Sequence, residues 1–193
     1  MGIIAVDATQ VDVGDTTVET TIFSATVPAN TIQADKWVVL KILGNIQTDG
    51  SNTITVRVKF GGTTYYQDAN SIGVITAQEP VWFYIPLAGN NATNAQTLGG
   101  GLFVGTDGGA TTGIGDIGTD EIDAITPILN DGVAIDQTSA QALAVTMQWS
   151  IAFAGDTFSK YYGVIYDMTE VPPAVLPGKG LVVQWAVPRA ATW

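Results

Sequence analysis

The chain has 193 residues, 46% apolar and only 13% charged, with seven Lys and Arg against eighteen Asp and Glu for a net charge of −11. It has no Cys and no His, which excludes disulfides, thiolate nucleophiles, zinc sites with nitrogen or sulfur ligands and every His-based acid–base arrangement. The apolar content excludes general disorder, and the acidic balance disfavours nucleic acid and anionic membranes, whose phosphates need cations opposite them.

The first residues, Met1-Gly-Ile-Ile-Ala-Val-Asp, carry neither a basic region nor an apolar run of signal-peptide length. No run elsewhere is long enough to span a membrane, so a soluble chain is expected. Residues 1–16 are expected to form an N-terminal arm holding a first strand at 3–6. Further strands are expected at 17–27, 37–44 and 53–60. In the last of these Ile54, Val56, Val58 and Phe60 point one way and Thr53, Thr55, Arg57 and Lys59 the other. Asp49-Gly-Ser-Asn52 is a hairpin-type turn signal before that strand, and Gly61-Gly62 supports a tight reversal after it. Strands follow at 63–67 and 81–86, with Pro86 expected to confine the latter to an edge or an end.

Between residues 89 and 136 Gly, Thr, Asn, Asp and Ala dominate, which predicts a long inserted loop. That stretch holds one short strand at 101–104 and a short helix around 119–130, interrupted by Pro127. The strongest strand is 142–153: from Leu143 to Phe153 every odd position is large and apolar and every even one small or polar. A strand at 161–168 comes next. Residues 170–193 form a Pro-stiffened extension with a strand at 181–187 and a terminal Trp193. No helix-length window shows a period of 3.6. The expectation is a single all-β domain over 1–193, a sandwich or jelly roll with extended termini.

Candidate sites are sparse. Gly113-Ile-Gly115-Asp-Ile-Gly118 matches the dinucleotide fingerprint in letters but lacks the flanking strand and helix, and its Asp would repel a pyrophosphate. Asp107, Asp116, Asp120, Glu121 and Asp123 are hard oxygen donors on a Gly-rich loop, yet without a calcium-loop spacing. Eighteen acids make a glycosidase-like carboxylate pair a weak signal. Asn91-Ala-Thr93 is a glycosylation sequon by letters alone. Tyr65, Tyr66, Trp82, Tyr84, Tyr161, Tyr162 and Tyr166 are either core residues or a contact platform. Within each adjacent pair, Tyr65-Tyr66 and Tyr161-Tyr162, strand alternation turns one ring outward. These four, with Trp193, are the candidate interface residues. No catalytic residue, metal or cofactor is expected.

Three stretches in order resemble the jelly-roll structural proteins of tailed bacteriophages, found as head decoration proteins and as tail or fibre modules. They are Glu19-Thr-Thr-Ile-Phe-Ser-Ala-Thr-Val-Pro-Ala-Asn-Thr-Ile, Leu40-Lys-Ile-Leu-Gly-Asn with Thr53-Ile-Thr-Val-Arg-Val-Lys-Phe-Gly-Gly-Thr-Thr, and Trp149-Ser-Ile-Ala-Phe-Ala-Gly-Asp-Thr-Phe with residues 161–168. The resemblance covers roughly residues 17–168, and the Gly-rich insertion departs from it. It implies a jelly-roll fold, a homotrimer, a major capsid protein or other virion protein as partner, and a place on the outer surface of the head. Tail or fibre modules that bind a host receptor or glycan share the resemblance. A carbohydrate-active enzyme is the remaining alternative.

Overall fold

A computed structural model of the chain describes residues 2–34, 36–48, 52–72, 75–92, 95–98, 101–104 and 130–168. Among them are twelve β-strands and no helix. These are β1 (Gly2–Asp7), β2 (Val11–Gly14), β3 (Thr20–Val27), β4 (Trp37–Thr48), β5 (Asn52–Phe60), β6 (Thr63–Ile72), β7 (Ile75–Ala92), β8 (Ala95–Leu98), β9 (Gly101–Val104), β10 (Asn130–Val133), β11 (Gln141–Trp149) and β12 (Thr157–Asp167). They form two antiparallel sheets packed face to face. The larger runs β1-β12-β4-β7-β8-β10, with β2 following β1 along β12 and β9 pairing β7; the smaller runs β3-β11-β5-β6.

The pairing is nested. The β5–β6 hairpin is innermost, β4 pairs β7 outside it, β3 pairs β11 outside that, and the N-terminal ribbon of β1 and β2 closes on β12. The hairpin turn is Gly61-Gly62, with φ of 56° and 81°, between the paired residues Phe60 and Thr63. Two consecutive positive φ values suit the right-handed twist of the flanking strands, and glycine adopts them without a Cβ clash.

The core lies between the sheets, as the alternation in β5 and β11 requires. Ile54, Val56, Val58 and Phe60 of β5 and Leu143, Val145, Met147 and Trp149 of β11 meet Val38, Leu40, Ile42 and Ile46 of β4 and Val81, Phe83, Ile85 and Leu87 of β7. Phe83 and Phe158 touch edge to face, with ring centroids 6.0 Å apart. Trp149 is fully buried, and its indole N–H donates to the Val13 carbonyl at 3.1 Å, which fixes β2 to the smaller sheet. At Gly163 the two layers meet tightly: a Cβ there would stand 2.3 Å from Cδ2 of Phe23.

Two polar groups are buried where the ends of the sandwich are tied. The Asp156 carboxylate accepts from Thr48 Oγ1 at 2.6 Å and from Asn52 Nδ2, so the loop leading into β12 is held against the adjoining ends of β4 and β5. Lys160, with no exposed surface, donates to Asp7 Oδ2 at 2.6 Å and fastens the end of β1 to β12.

Local bulges decide which side chains face the core. In β6 the register steps between Val58/Tyr66 and Lys59/Thr64, leaving Tyr65 as an extra residue. In β12 it steps between Lys160/Gly44 and Tyr162/Leu43, leaving Tyr161 extra, and similar steps fall at Ile4 and Ile22. An extra residue shifts the phase of the pleat, so two neighbours share one face. Hence Ile22 and Phe23 are both core residues.

Several expectations change. Residues 49–51 lie outside the described set, and the strands on either side of them, β4 and β5, belong to different sheets rather than pairing as a hairpin. The strand expected to reach Phe153 ends at Trp149, and Ile151 and Phe153 stand exposed on the loop pinned by Asp156. Pro86 sits inside β7, opposite Val39. On the other side of β7, β9 pairs only as far as Tyr84 and β8 begins at Leu87, so Pro86 occupies a local gap where a missing N–H costs nothing. The stretch 89–136 is not loop throughout: the end of β7, β8, β9 and β10 lie in it, while residues 105–129, and with them the expected helix up to Asn130, fall outside the described set. Within the expected N-terminal arm, β1 and β2 pair along β12.

Two measurements check this account. Gly163→Ala should destabilise the fold by about 1–3 kcal/mol in urea unfolding, since a methyl has no room against Phe23. The Lys160 hydrogen bond, followed in smaller part by that from Thr9, holds the Asp7 carboxyl below its ordinary value. A lowered folded pKa gives stability that is present above the unfolded value near 3.8 and is lost as pH falls through the folded one. Asp7→Asn should therefore blunt the acid limb of stability and cost about 3 kcal/mol at neutral pH, because the Lys160 ammonium stays buried without a counter-charge.

Candidate interaction surface

The two outer faces of the sandwich differ sharply in chemistry. On the smaller sheet, Arg57 donates through Nε to Gln67 Oε1 at 2.9 Å and through Nη1 to Gln148 Oε1 at 3.0 Å. Glu19 accepts from Lys59 Nζ and from Thr146 Oγ1, and lies 3.6 Å from Arg57 Nη1. These hydrogen bonds, that from Lys59 foremost, hold the Glu19 carboxyl below its usual range. This face is polar, cross-linked and suited to water.

The outer face of the larger sheet is apolar. Residues directly paired across neighbouring strands share a face, and the register assembles them in rows. Tyr162 of β12 pairs Leu43 of β4, which pairs Trp82 of β7. The next row is Val164, Lys41 and Tyr84, and the next Tyr166, Val39 and Pro86. On β1, Val6 pairs Val164 and Ile3 pairs Tyr166, extending the face to the sheet edge. Trp82 is 50% exposed and Leu43 45%, so both present large apolar surface to solvent. Lys41 is the one charge in these rows, with its ammonium 5.6 Å from the ring centroids of both Tyr84 and Tyr166. That placement covers the charge with π faces and keeps the surface sticky rather than salt-like. Burial raises the Tyr84 hydroxyl pKa, so the ring stays neutral.

Of the expected interface residues, Tyr65 is a core residue, 2% exposed, set edge to face against Phe60 at 6.2 Å, with its hydroxyl pushed up to about 12 by burial. Tyr66 is half-buried and also packs on the core. The expectation that one ring of this pair faces out fails because the bulge at Tyr65 turns both inward. Tyr161 is exposed, and its hydroxyl accepts from Asn45 Nδ2 at 3.4 Å, the same amide that donates to Gln78 Oε1 at 3.4 Å. Tyr162 is half-buried within the first apolar row. Trp193 lies outside the described residues, as do Asp107, Asp116, Asp120, Glu121, Asp123, the Gly113–Gly118 match and Thr93 of the sequon. Among the described residues no three His, Cys, Asp or Glu side chains gather as metal ligands. Among the described residues no helix is long and apolar enough to cross a membrane.

Sequence reasoning named Trp82 among platform candidates but missed Leu43, Val6 and Ile3. The available signal was the opening of β4, Trp37-Val-Val-Leu-Lys-Ile-Leu43, which is apolar at both parities except for Lys41. Such a run belongs to a strand covered on two faces. Here one covering is the core, and on the other face Val39 is buried while Leu43 is exposed.

No family model matches the chain, and no curated protein matches it. Among solved structures it is similar to "Structure of infectious bursal disease virus Gx strain", at a TM-score of 0.29 and 14% identity, over 84% of this chain and 40% of that one. The chain thus spans well under half of that protein, and a likeness of this size assigns neither fold nor role.

Proposed function

We propose that this chain is a non-enzymatic virion structural protein of a tailed bacteriophage, a capsid decoration (cement) protein that works by adhesion. The observation that carries the reading is the exposed apolar face of the larger sheet, with Trp82 and Leu43 at its centre and the single cation Lys41. Large apolar side chains exposed side by side, on a face whose Val39 and Val164 are themselves buried, suit a protein contact, and lasting attachment needs an interface of roughly 1,000 Å² or more. The nested pairing of strands supports a jelly roll, in keeping with the resemblance over residues 17–168. On this reading the face lies against the major capsid protein at the outer surface of the head. The polar face of the smaller sheet looks outward, its acidity keeping particles apart. A homotrimer is part of the same proposal.

A second reading, a tail or fibre module that binds a host glycan, is favoured by one feature. Trp82 and Tyr162 share a row beside amides from Asn45 and Gln78, and rings with neighbouring amides suit neutral sugars.

The readings separate in one experiment. Purified chain should cosediment with empty heads, and Trp82→Ser with Leu43→Ser should reduce binding at least tenfold. Each exposed replacement alone should change the free energy of unfolding by no more than about 0.5 kcal/mol. Retention of these variants on heads, or binding of the chain to a glycan array instead, would overturn the decoration role. In mass photometry the free protein should run as a trimer or a multiple of one.

A further inference from the structure

β1 is the terminal strand of the larger sheet, and among the described residues its outer edge has no partner strand. Open edges are a standing invitation to pairing, and natural proteins usually blunt them with Lys, Pro or a covering loop. β1 carries no Lys or Pro: Gly-Ile-Ile-Ala-Val is followed at the end by Asp7, and the irregularity in it is the bulge at Ile4. Ile3 is 65% exposed and Val6 51%.

The facing order of this strand is symmetric. The bulge at Ile4 puts Ile4 and Ala5 both against the core, Ile3 and Val6 both on the outer face, and Gly2 and Asp7 both toward the inner side, opposite Asp167 and Gly163. Read from either end the order is in, out, in, in, out, in. An antiparallel copy of the same strand, centred between Ile4 and Ala5, therefore presents the same facing residue for residue.

We propose that β1 pairs with β1 of a second copy about a two-fold axis, joining the larger sheets of two protomers into one continuous sheet. In the symmetric register Ile3 lies opposite Val6 of the other copy, and Ile4 opposite Ala5. Asp7 falls opposite Gly2, which has no side chain. The two Asp7 carboxylates then sit at opposite ends of the pair, roughly 17 Å apart at about 3.4 Å per residue. That exceeds the screening length of about 8 Å at physiological salt, so like charge does not oppose the pairing. Each Asp7 keeps its own Lys160. The backbone groups of both edges are satisfied and four exposed apolar side chains cover one another on the outer face. The contact joins copies two by two and is compatible with any other assembly through the sheet face.

The absence of Cys makes a direct test available in the full chain. Ile3→Cys protein mixed with Val6→Cys protein should form a disulfide-linked heterodimer under mild oxidation. Either variant alone should cross-link at least fivefold less, since like positions are not opposed in this register. In sedimentation velocity the wild-type mass should halve on Val6→Lys or Ile3→Lys with the melting temperature unchanged, because both positions are solvent-exposed. The proposal is overturned by a hetero-cross-link no more abundant than the homo-cross-links, or by a mass that the Lys variants leave alone. A mass lowered instead by Trp82→Ser would also overturn it and would leave the sheet-face contact standing.

Discussion

The bulge at Tyr161 is the constraint on which the two faces of the larger sheet depend. Before it Phe158 faces the core; after it Gly163 and Ile165 do, paired with Ile42 and Leu40. Had the strand kept one phase, Tyr162, Val164 and Tyr166 would have been driven inward against the smaller sheet, where Phe23 already fills the space over Gly163. The extra residue turns those three outward instead and builds the side of the apolar face that borders β4. It also lies where the N-terminal ribbon breaks between β1 and β2, and Lys160 meets Asp7 at that break. Core closure, the fastening of the ribbon and the composition of the outer surface thus share one local irregularity.

Much of the fold was legible where the pleat runs unbroken. In β5 and in β11 up to Trp149 the alternation of side chains coincides with burial at every position of the inner set. The Gly61-Gly62 turn was legible because only glycine takes two positive φ values in succession at no cost. What was not legible is phase. Tyr65 and Tyr66 have the same sequence appearance as Tyr161 and Tyr162, yet one bulge draws the first pair inward and the other leaves Tyr161 in solvent. Bulges depend on the fit of a strand to its neighbours, and no short sequence pattern announces them. Layer assignment was equally hidden: Asp49 to Asn52 has hairpin chemistry, but a sandwich uses similar turns to cross between sheets.

The contact surface was half legible for a related reason. An apolar run such as that opening β4 shows that both faces of a strand avoid water, without showing which face is the core. Only the register, with Leu43 set between Tyr162 and Trp82, shows that side chains from three strands meet on one exposed surface. The opposite sheet supplies the contrast. Its outer residues Arg57, Lys59 and Glu19 bind one another and leave little apolar area uncovered. On the proposed reading, the apolar side is the one that lies against a partner.

Hydroxyl-radical footprinting of the protein, free and in the native assembly purified with it, addresses that asymmetry most directly. Trp82 and Leu43 should be strongly labelled in the free chain and protected several-fold in the assembly, while the strand carrying Arg57 and Lys59 keeps its reactivity. Equal labelling of Trp82 in both states, with protection on the β5 side instead, would contradict the assignment of the larger sheet as the adhesive face.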